Sequence, residues 1–164
     1  MKKIFAFCAM ALVAGALFTS CKEKIADNTM NVKLGDEEWN AKEVCANQLT
    51  EQTLVMGGFE TAYTDLNCAF VWGTMGTATG TYEGNEYVFT YQNGMSDTAA
   101  NGASNWDITS HNQEINAIDL AEHTVDATVN QVMKNNAQNK DNVDLTITMK
   151  NVEWTVNSNM AKTR

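Results

Sequence analysis

Apolar and polar residues alternate along most of the chain after residue 28. A period of two is typical of β-strands that bury one face and expose the other. The clearest run covers 143–150, where the odd positions are apolar and the even positions are polar. The phase then flips, so that Val152 and Trp154 continue the apolar face, which predicts a β-bulge near Lys150 and Asn151.

No segment keeps a helical period of 3.6 residues over three turns, and turn signals such as Asn93-Gly94 separate the alternating runs. Trp39–Ala46 is predicted as one strand, whereas Trp106–Ser110 and Ile115–Leu120 are predicted as two. In total we expect about nine short strands. This pattern predicts an all-β protein, an antiparallel β-sandwich, with a small lipocalin-like up-and-down β-barrel as the alternative.

The N-terminal segment has the pattern of a secretory leader. Lys2 and Lys3 precede a continuous apolar run over 4–17, which is too short to span a bilayer comfortably. The following Phe18-Thr19-Ser20-Cys21 resembles the lipobox of bacterial lipoproteins, and looser lipoboxes of this kind are familiar in Bacteroidetes. Phe18 departs from the pattern, which prefers Leu. The resemblance implies a signal peptide over 1–20 and lipidation of Cys21.

A lipid on Cys21 would attach the protein to a membrane without a transmembrane helix. Stable anchoring needs more than one acyl chain, and a triacylated cysteine provides this. Residues 21–28 are then a tether, and 29–164 form a single β domain. The expected location is the bacterial cell envelope, on the periplasmic or the surface face of the outer membrane.

About half of the mature chain resembles uncharacterised small β-sandwich lipoproteins of Bacteroidetes. The resemblance lies in "NVKLGDEEWNAKEV" at 31–44, "GTY" at 80–82, "AIDLAEHTVDATV" at 117–129 and "VDLTITMKNVEW" at 143–154. It implies an opening hairpin with a Trp after the turn and a closing hairpin. It brings no catalytic residues with it.

The charge of the protein argues against nucleic acid as a partner. The chain has 11 basic and 20 acidic residues, a net charge of −9. Removal of the leader takes away Lys2 and Lys3 and leaves −11. Phosphate contacts need clustered Lys and Arg, but Arg164 is the only arginine.

Two cysteines, Cys45 and Cys68, remain besides Cys8 in the leader and Cys21 at the lipobox. In an oxidising compartment they form either a disulfide, which would contribute about 3 kcal/mol by the entropic estimate, or two buried thiols. No CxxC motif and only two histidines are present, so we expect no metal and no cofactor.

The sequence contains few groups suited to catalysis. His111 and His123 both lie beside predicted turns, and HExxH, GxSxG, P-loop and GxGxxG motifs are absent. The acidic turn Asp36-Glu37-Glu38 is the one place where paired carboxylates suggest a hydrolase. We therefore expect a protein without enzymatic activity and keep a hydrolase as a second alternative.

The expected function is a non-catalytic binding or interaction module for a glycan or another envelope protein, with a barrel carrier of an apolar ligand as the alternative. Tyr87, Tyr91, Trp72 and Trp106 are candidates for stacking on sugars, although such rings are more often core. Asp97-Thr98-Ala99 resembles the O-glycosylation acceptor of exported Bacteroidetes proteins, which implies modification of Thr98.

Overall fold

The computed structural model describes residues 28–65, 67–84, 86–97, 104–135 and 140–156. The predictions for the leader, for lipidation of Cys21 and for glycosylation of Thr98 lie outside these residues. The described residues form eleven strands and one short 3₁₀ turn, Gly94–Asp97. The strands are β1 (Thr29–Leu34), β2 (Glu37–Asn40), β3 (Glu43–Thr50), β4 (Thr53–Phe59), β5 (Ala69–Gly76), β6 (Gly80–Glu83), β7 (Phe89–Asn93), β8 (Trp106–Asp119), β9 (Thr124–Asn135), β10 (Lys140–Glu153) and β11 (Thr155–Val156).

The strands form two sheets that pack face to face. The six-stranded sheet has the order β2-β1-β10-β9-β8-β6, and the five-stranded sheet has the order β11-β3-β4-β5-β7. The recorded pairs are antiparallel except for the short parallel pair of β11 with β3. The predicted antiparallel sandwich is confirmed. The barrel alternative is wrong, because both sheets end in edge strands and neither closes on itself.

The predicted bulge in the last long strand is confirmed. The register of β10 against β9 shifts between Met149 and Val152. Asn151 has a φ of 49°, a left-handed conformation that Asn tolerates better than most residues. Its backbone N–H donates to a side-chain oxygen of Asp126 on β9. The extra residue moves Val152 onto the buried face, as the phase flip predicted.

Two strand boundaries differ from the prediction. The run Trp39–Ala46 is divided because the chain passes from one sheet to the other at Ala41 and Lys42. The N–H of Ala41 donates to Met30 O in the first sheet, and that of Lys42 donates to Phe59 O in the second. The two runs predicted over 106–120 form the single strand β8, because β9 pairs with both through two register shifts.

The core lies between the sheets and is formed by the alternate residues of each strand. Tyr91 and Trp106 pack edge to face there, with ring centroids 5.9 Å apart. The largest fully buried apolar side chains are those of Tyr91, Phe89, Met30, Leu54, Met56, Met75, Ile115, Met133, Leu145 and Ile147. Burial of a Leu, Ile, Phe or Met side chain contributes about 1.5–3 kcal/mol, so these residues supply much of the driving force for folding.

A second apolar group lies on the opposite face of the five-stranded sheet. It consists of Cys45, Val55, Phe59 and Cys68, with Phe70 packed against them, and we call it the outer cluster. In β3, Val44 and Ala46 face the core, whereas Cys45 between them faces away. The five-stranded sheet therefore carries an apolar group on its outer face as well as on its core face.

Candidate functional site

The four aromatic residues predicted to stack on sugars do not form one platform. Tyr91 and Trp106 are core residues, with only 1% and 5% of their surfaces exposed, so the prediction is wrong for these two. The pKa of the Tyr91 hydroxyl is raised, first because burial disfavours the charged form. A buried ring cannot present its face to a ligand. The prediction failed because alternation alone does not show which face of β7 and β8 is buried.

The other two rings are half-buried. Trp72 lies on the outer face of the five-stranded sheet, in the row Gly57–Trp72–Thr90 across three strands. Tyr87 packs edge to face on Tyr82, with centroids 5.1 Å apart, and its hydroxyl donates to Gln52 O. Only these two members of the predicted set remain partly open to solvent.

Of the two alternatives for Cys45 and Cys68, a disulfide between them is wrong, and a buried thiol is confirmed for Cys68 alone. Cys45 is opposite Gly57, which is opposite Trp72, four residues beyond Cys68 on the same segment. The two cysteines are thus separated by about 10 Å across the strands and about 13 Å along them. A disulfide requires Cα atoms within about 7 Å. Cys68 is a free, buried thiol, and the disulfide that Cys45 makes is therefore with another residue.

The free thiol of Cys68 is poorly suited to nucleophilic chemistry. Burial raises its pKa, and the charges of Asp65 and Glu60 act in the same direction, whereas hydrogen bonding with Thr61 opposes them. Its Sγ donates to Ala62 O at 3.6 Å. A thiol with a raised pKa is protonated at neutral pH and reacts slowly.

Asp97, the first residue of the glycosylation-like motif, has a structural role. It is 1% exposed, and its carboxylate accepts hydrogen bonds from Trp106 Nε1 at 3.1 Å and from the Asn93 N–H at 3.0 Å. Asn135 Nδ2 is 3.5 Å from the other carboxylate oxygen. These contacts fix the 3₁₀ turn against the core, so Asp97 has a reason to be present that is independent of Thr98.

The groups considered for a hydrolase do not converge. The acidic turn leads into β2, and His111 lies on β8, four strand positions away in the same sheet. Four spacings amount to about 19 Å, which is too far for a shared reaction centre. Among the described residues, no group of three His, Cys, Asp or Glu side chains is placed to hold a metal ion.

His111 instead belongs to a buried polar contact between the sheets. Gln131 accepts from the Phe89 N–H with Oε1 and donates to Phe89 O with Nε2, both at 2.8 Å. Because that oxygen can only accept, His111 Nδ1, which lies 3.1 Å from it, carries a proton. Burial lowers the pKa of His111, although the hydrogen bond with Gln131 opposes this, and its Nε2 is buried without a partner.

A polar concavity of about 430 Å³ lies on the outer face of the six-stranded sheet, above this contact. Two rows of side chains on β8, β9 and β10 form its floor. The rows are Asn112–Asn130–Thr146 and Ser110–Val132–Asp144. We call these six residues the polar concavity. A register shift in β8 between Ile108 and Ser110 borders it, and such a bulge bends a strand and re-aims its side chains.

The polar concavity presents hydroxyl and amide groups at close spacing. Residues directly opposite on neighbouring strands have Cβ atoms about 4.5–5.5 Å apart. Thr146 Oγ1 donates to Asn130 Oδ1 at 3.2 Å, and this hydrogen bond does not use the amide nitrogen of Asn130. Asp144 is the one charged member of the six. This site was not predictable from residue types, because exposed Thr and Asn on a strand are the ordinary composition of a solvated face.

The row through Asn130 continues to both edges of the sheet. It reads Glu38–Lys33–Thr146–Asn130–Asn112–Glu83 across all six strands. Charged residues occupy its ends, and uncharged polar residues occupy its centre. An extended polar ligand laid across the strands would therefore meet hydrogen-bonding groups without a strong central charge.

The fold and this site define an open antiparallel β-sandwich with a polar concavity on one outer face. No protein-family model matches the chain, and neither a curated protein nor a solved structure matches it. No helix in the described ranges is long and apolar enough to cross a membrane.

Proposed function

We propose that this protein is a lipid-anchored envelope lipoprotein whose β-sandwich binds a neutral glycan without catalysis, through the polar concavity. The observation that supports this most directly is the uncharged centre of the concavity, where Asn112, Asn130 and Thr146 meet on three neighbouring strands. Hydroxyl and amide groups at this spacing match the alternating donors and acceptors of sugar hydroxyls.

The chemistry of the concavity favours a neutral ligand over an anionic one. Asp144 and the net charge of −9 repel anions. The lining combines the apolar residues Val132 and Leu145 with hydrogen-bonding groups, and a sugar likewise carries both C–H surface and hydroxyls. Binding would depend on hydrogen bonds with little aromatic stacking, since Tyr91 and Trp106 are buried in the core.

Binding is tested on an array of neutral and anionic oligosaccharides with the purified full-length protein. We expect the protein to retain neutral glycans. Asn130→Ala or Thr146→Ala should lower the affinity for them several-fold to tenfold, because each lost hydrogen bond costs about 0.5–1.5 kcal/mol. Asn40→Ala, an exposed Asn at the edge of the same sheet, is the matched control and should bind normally. Equal binding by all three variants would place the ligand elsewhere.

Anchoring is a separate proposal with its own test. Metabolic labelling with palmitate should mark the wild type and should disappear in Cys21→Ala. Unchanged palmitate labelling of the variant would contradict the anchor.

A further inference from the structure

The strand β7 forms one edge of the five-stranded sheet, and half of its backbone groups point outward. In an antiparallel sheet, the backbone groups of alternate residues point to opposite neighbours. Val88 O accepts from the Thr74 N–H on β5, so Val88 and every second residue after it face β5. Phe89, Tyr91 and Asn93 therefore direct their backbone groups away from the sheet.

Side chains close this outward edge. Each of the three residues has a backbone group that is hydrogen-bonded to a side chain. The pairs are Phe89 with Gln131 at 2.8 Å, Tyr91 with Ser104 at 2.7 Å and Asn93 with Asp97 at 3.0 Å. An open edge is a template for pairing with another strand, and these side chains occupy it.

The contact at Phe89 is the one of the three that includes a histidine. His111 Nδ1 lies 3.1 Å from the Gln131 oxygen that also accepts from the Phe89 N–H. In the neutral ring, Nδ1 carries the proton and Nε2 is buried without a hydrogen-bond partner. Protonation would add an N–H at Nε2, and a buried donor without an acceptor is costly.

The surroundings of His111 do not favour a positive charge. The titratable groups on the surrounding elements are Tyr82 on β6 and Tyr91 on β7 on the core side, the exposed Glu86 before β7, and Glu83, Lys134 and Asp144 on the outer face. Tyrosine is neutral at and below neutral pH. Burial lowers the pKa of His111, the hydrogen bond with Gln131 opposes this, and none of the named carboxylates contributes to the shift.

We propose that His111 and Gln131 form a pH-sensitive latch, which holds the Phe89 end of the β7 edge closed at neutral pH and releases it at mildly acidic pH. When His111 is protonated, the half-buried ring turns toward solvent and Gln131 loses the N–H that fixes its amide. The Phe89 N–H and C=O then become free to bond with water or with another strand.

The sign of the pH dependence follows from linkage. The folded state disfavours the proton on His111, so the unfolded state binds more protons around the ordinary histidine pKa of 6.5. The latch therefore contributes its full stability above that value and loses it as the pH falls below it.

The latch is tested by amide hydrogen exchange of the ¹⁵N-labelled full-length protein between about pH 7.5 and pH 5, where histidine is the one side chain that ordinarily titrates. We expect the protection factor of the Phe89 N–H, corrected for the intrinsic rate, to fall several-fold to about tenfold at the lower pH, which is the effect of one lost hydrogen bond. The Asn93 N–H, which Asp97 holds on the same edge, should keep its protection.

Two variants assign the effect to His111. His111→Asn should abolish the pH dependence, because Asn offers an amide N–H near the position of Nδ1 and does not titrate. His123→Asn is the matched control, because His123 is the only other histidine and Asn tolerates its φ of 57°. This variant should keep the pH dependence of the wild type.

Three results would overturn the proposal. Equal protection of Phe89 at both pH values would mean that the latch does not open, and an equal loss at Phe89 and Asn93 would mean a general destabilisation. Wild-type pH dependence in His111→Asn would assign the effect to another group.

The wild type gives a second test if His111→Asn loses its strand circular dichroism. The imidazole ¹⁵N shifts at neutral pH should show the proton on Nδ1 of His111, and a proton on Nε2 would contradict the latch. These measurements use neither a glycan nor the lipid, so their failure is distinct from a failure of the proposed function.

Discussion

At the scale of single residues, Gln131 is the most informative side chain in the described part of the protein. The alternation of β9 places it among core residues, where a polar group is costly unless its hydrogen bonds are made. It is 2% exposed and forms hydrogen bonds with both the N–H and the C=O of Phe89 on the facing sheet. Since β7 is an edge strand, this contact also occupies backbone groups that could pair with another chain.

Replacement of Gln131 should therefore destabilise the fold strongly. Gln131→Ala would leave the Phe89 N–H and C=O buried without partners, and each unsatisfied group costs about 1–3 kcal/mol. We expect a loss of about 2–5 kcal/mol in the free energy of unfolding, measured by urea titration. The neighbouring Asn130→Ala, on the exposed face, should change it by less than about 0.5 kcal/mol. Equal stability of the two variants would mean that the contact contributes little.

At the scale of elements, the sequence predicted the strands better than their boundaries. The alternation over 143–150 and its phase flip were enough to predict β10 and its bulge. The division of Trp39–Ala46 was not predictable, because the crossing at Ala41 depends on hydrogen bonds with Met30 and Phe59, which belong to different sheets. Likewise, the register shifts in β8 break the alternation in the sequence although the pairing with β9 continues.

The bulge gives the prediction at this scale. Asn151 has a φ of 49°, where a β-branched side chain is strongly disfavoured. Asn151→Val should lower the free energy of unfolding by about 1–2 kcal/mol. The free energy of unfolding of Asn151→Gly should equal or slightly exceed that of the wild type, because Gly adopts this conformation without strain. The variants are compared by thermal unfolding. Equal stability of Asn151→Val and Asn151→Gly would contradict the assignment of the bulge.

At the scale of the whole molecule, the two sheets differ in the chemistry of their outer faces. The six-stranded sheet presents rows of Thr and Asn, whereas the five-stranded sheet presents the outer cluster. Fold class followed from periodicity, because a period of two constrains each strand locally. The candidate site did not follow from periodicity, because Asn112, Asn130 and Thr146 come together only through strand order and register across 34 residues of sequence.

The same limit explains why the predicted disulfide and aromatic platform failed. Both rested on residue types, and residue type leaves the strand order and the position along each strand undetermined. Cys45 and Cys68 share a face but are staggered by the register of β3, β4 and β5. Tyr91 and Trp106 lie on different sheets, and both side chains point into the core between them.

The central claim is that a neutral glycan binds at the polar concavity of the six-stranded sheet. The most direct test is a titration of ¹⁵N-labelled protein with the neutral oligosaccharides retained on the array, followed by chemical-shift mapping. The account predicts that the shifts concentrate on Ser110, Asn112, Asn130 and Thr146, including the side-chain amides of the two Asn residues. Shifts that concentrate on the five-stranded sheet, or no shifts with any neutral oligosaccharide, would contradict it.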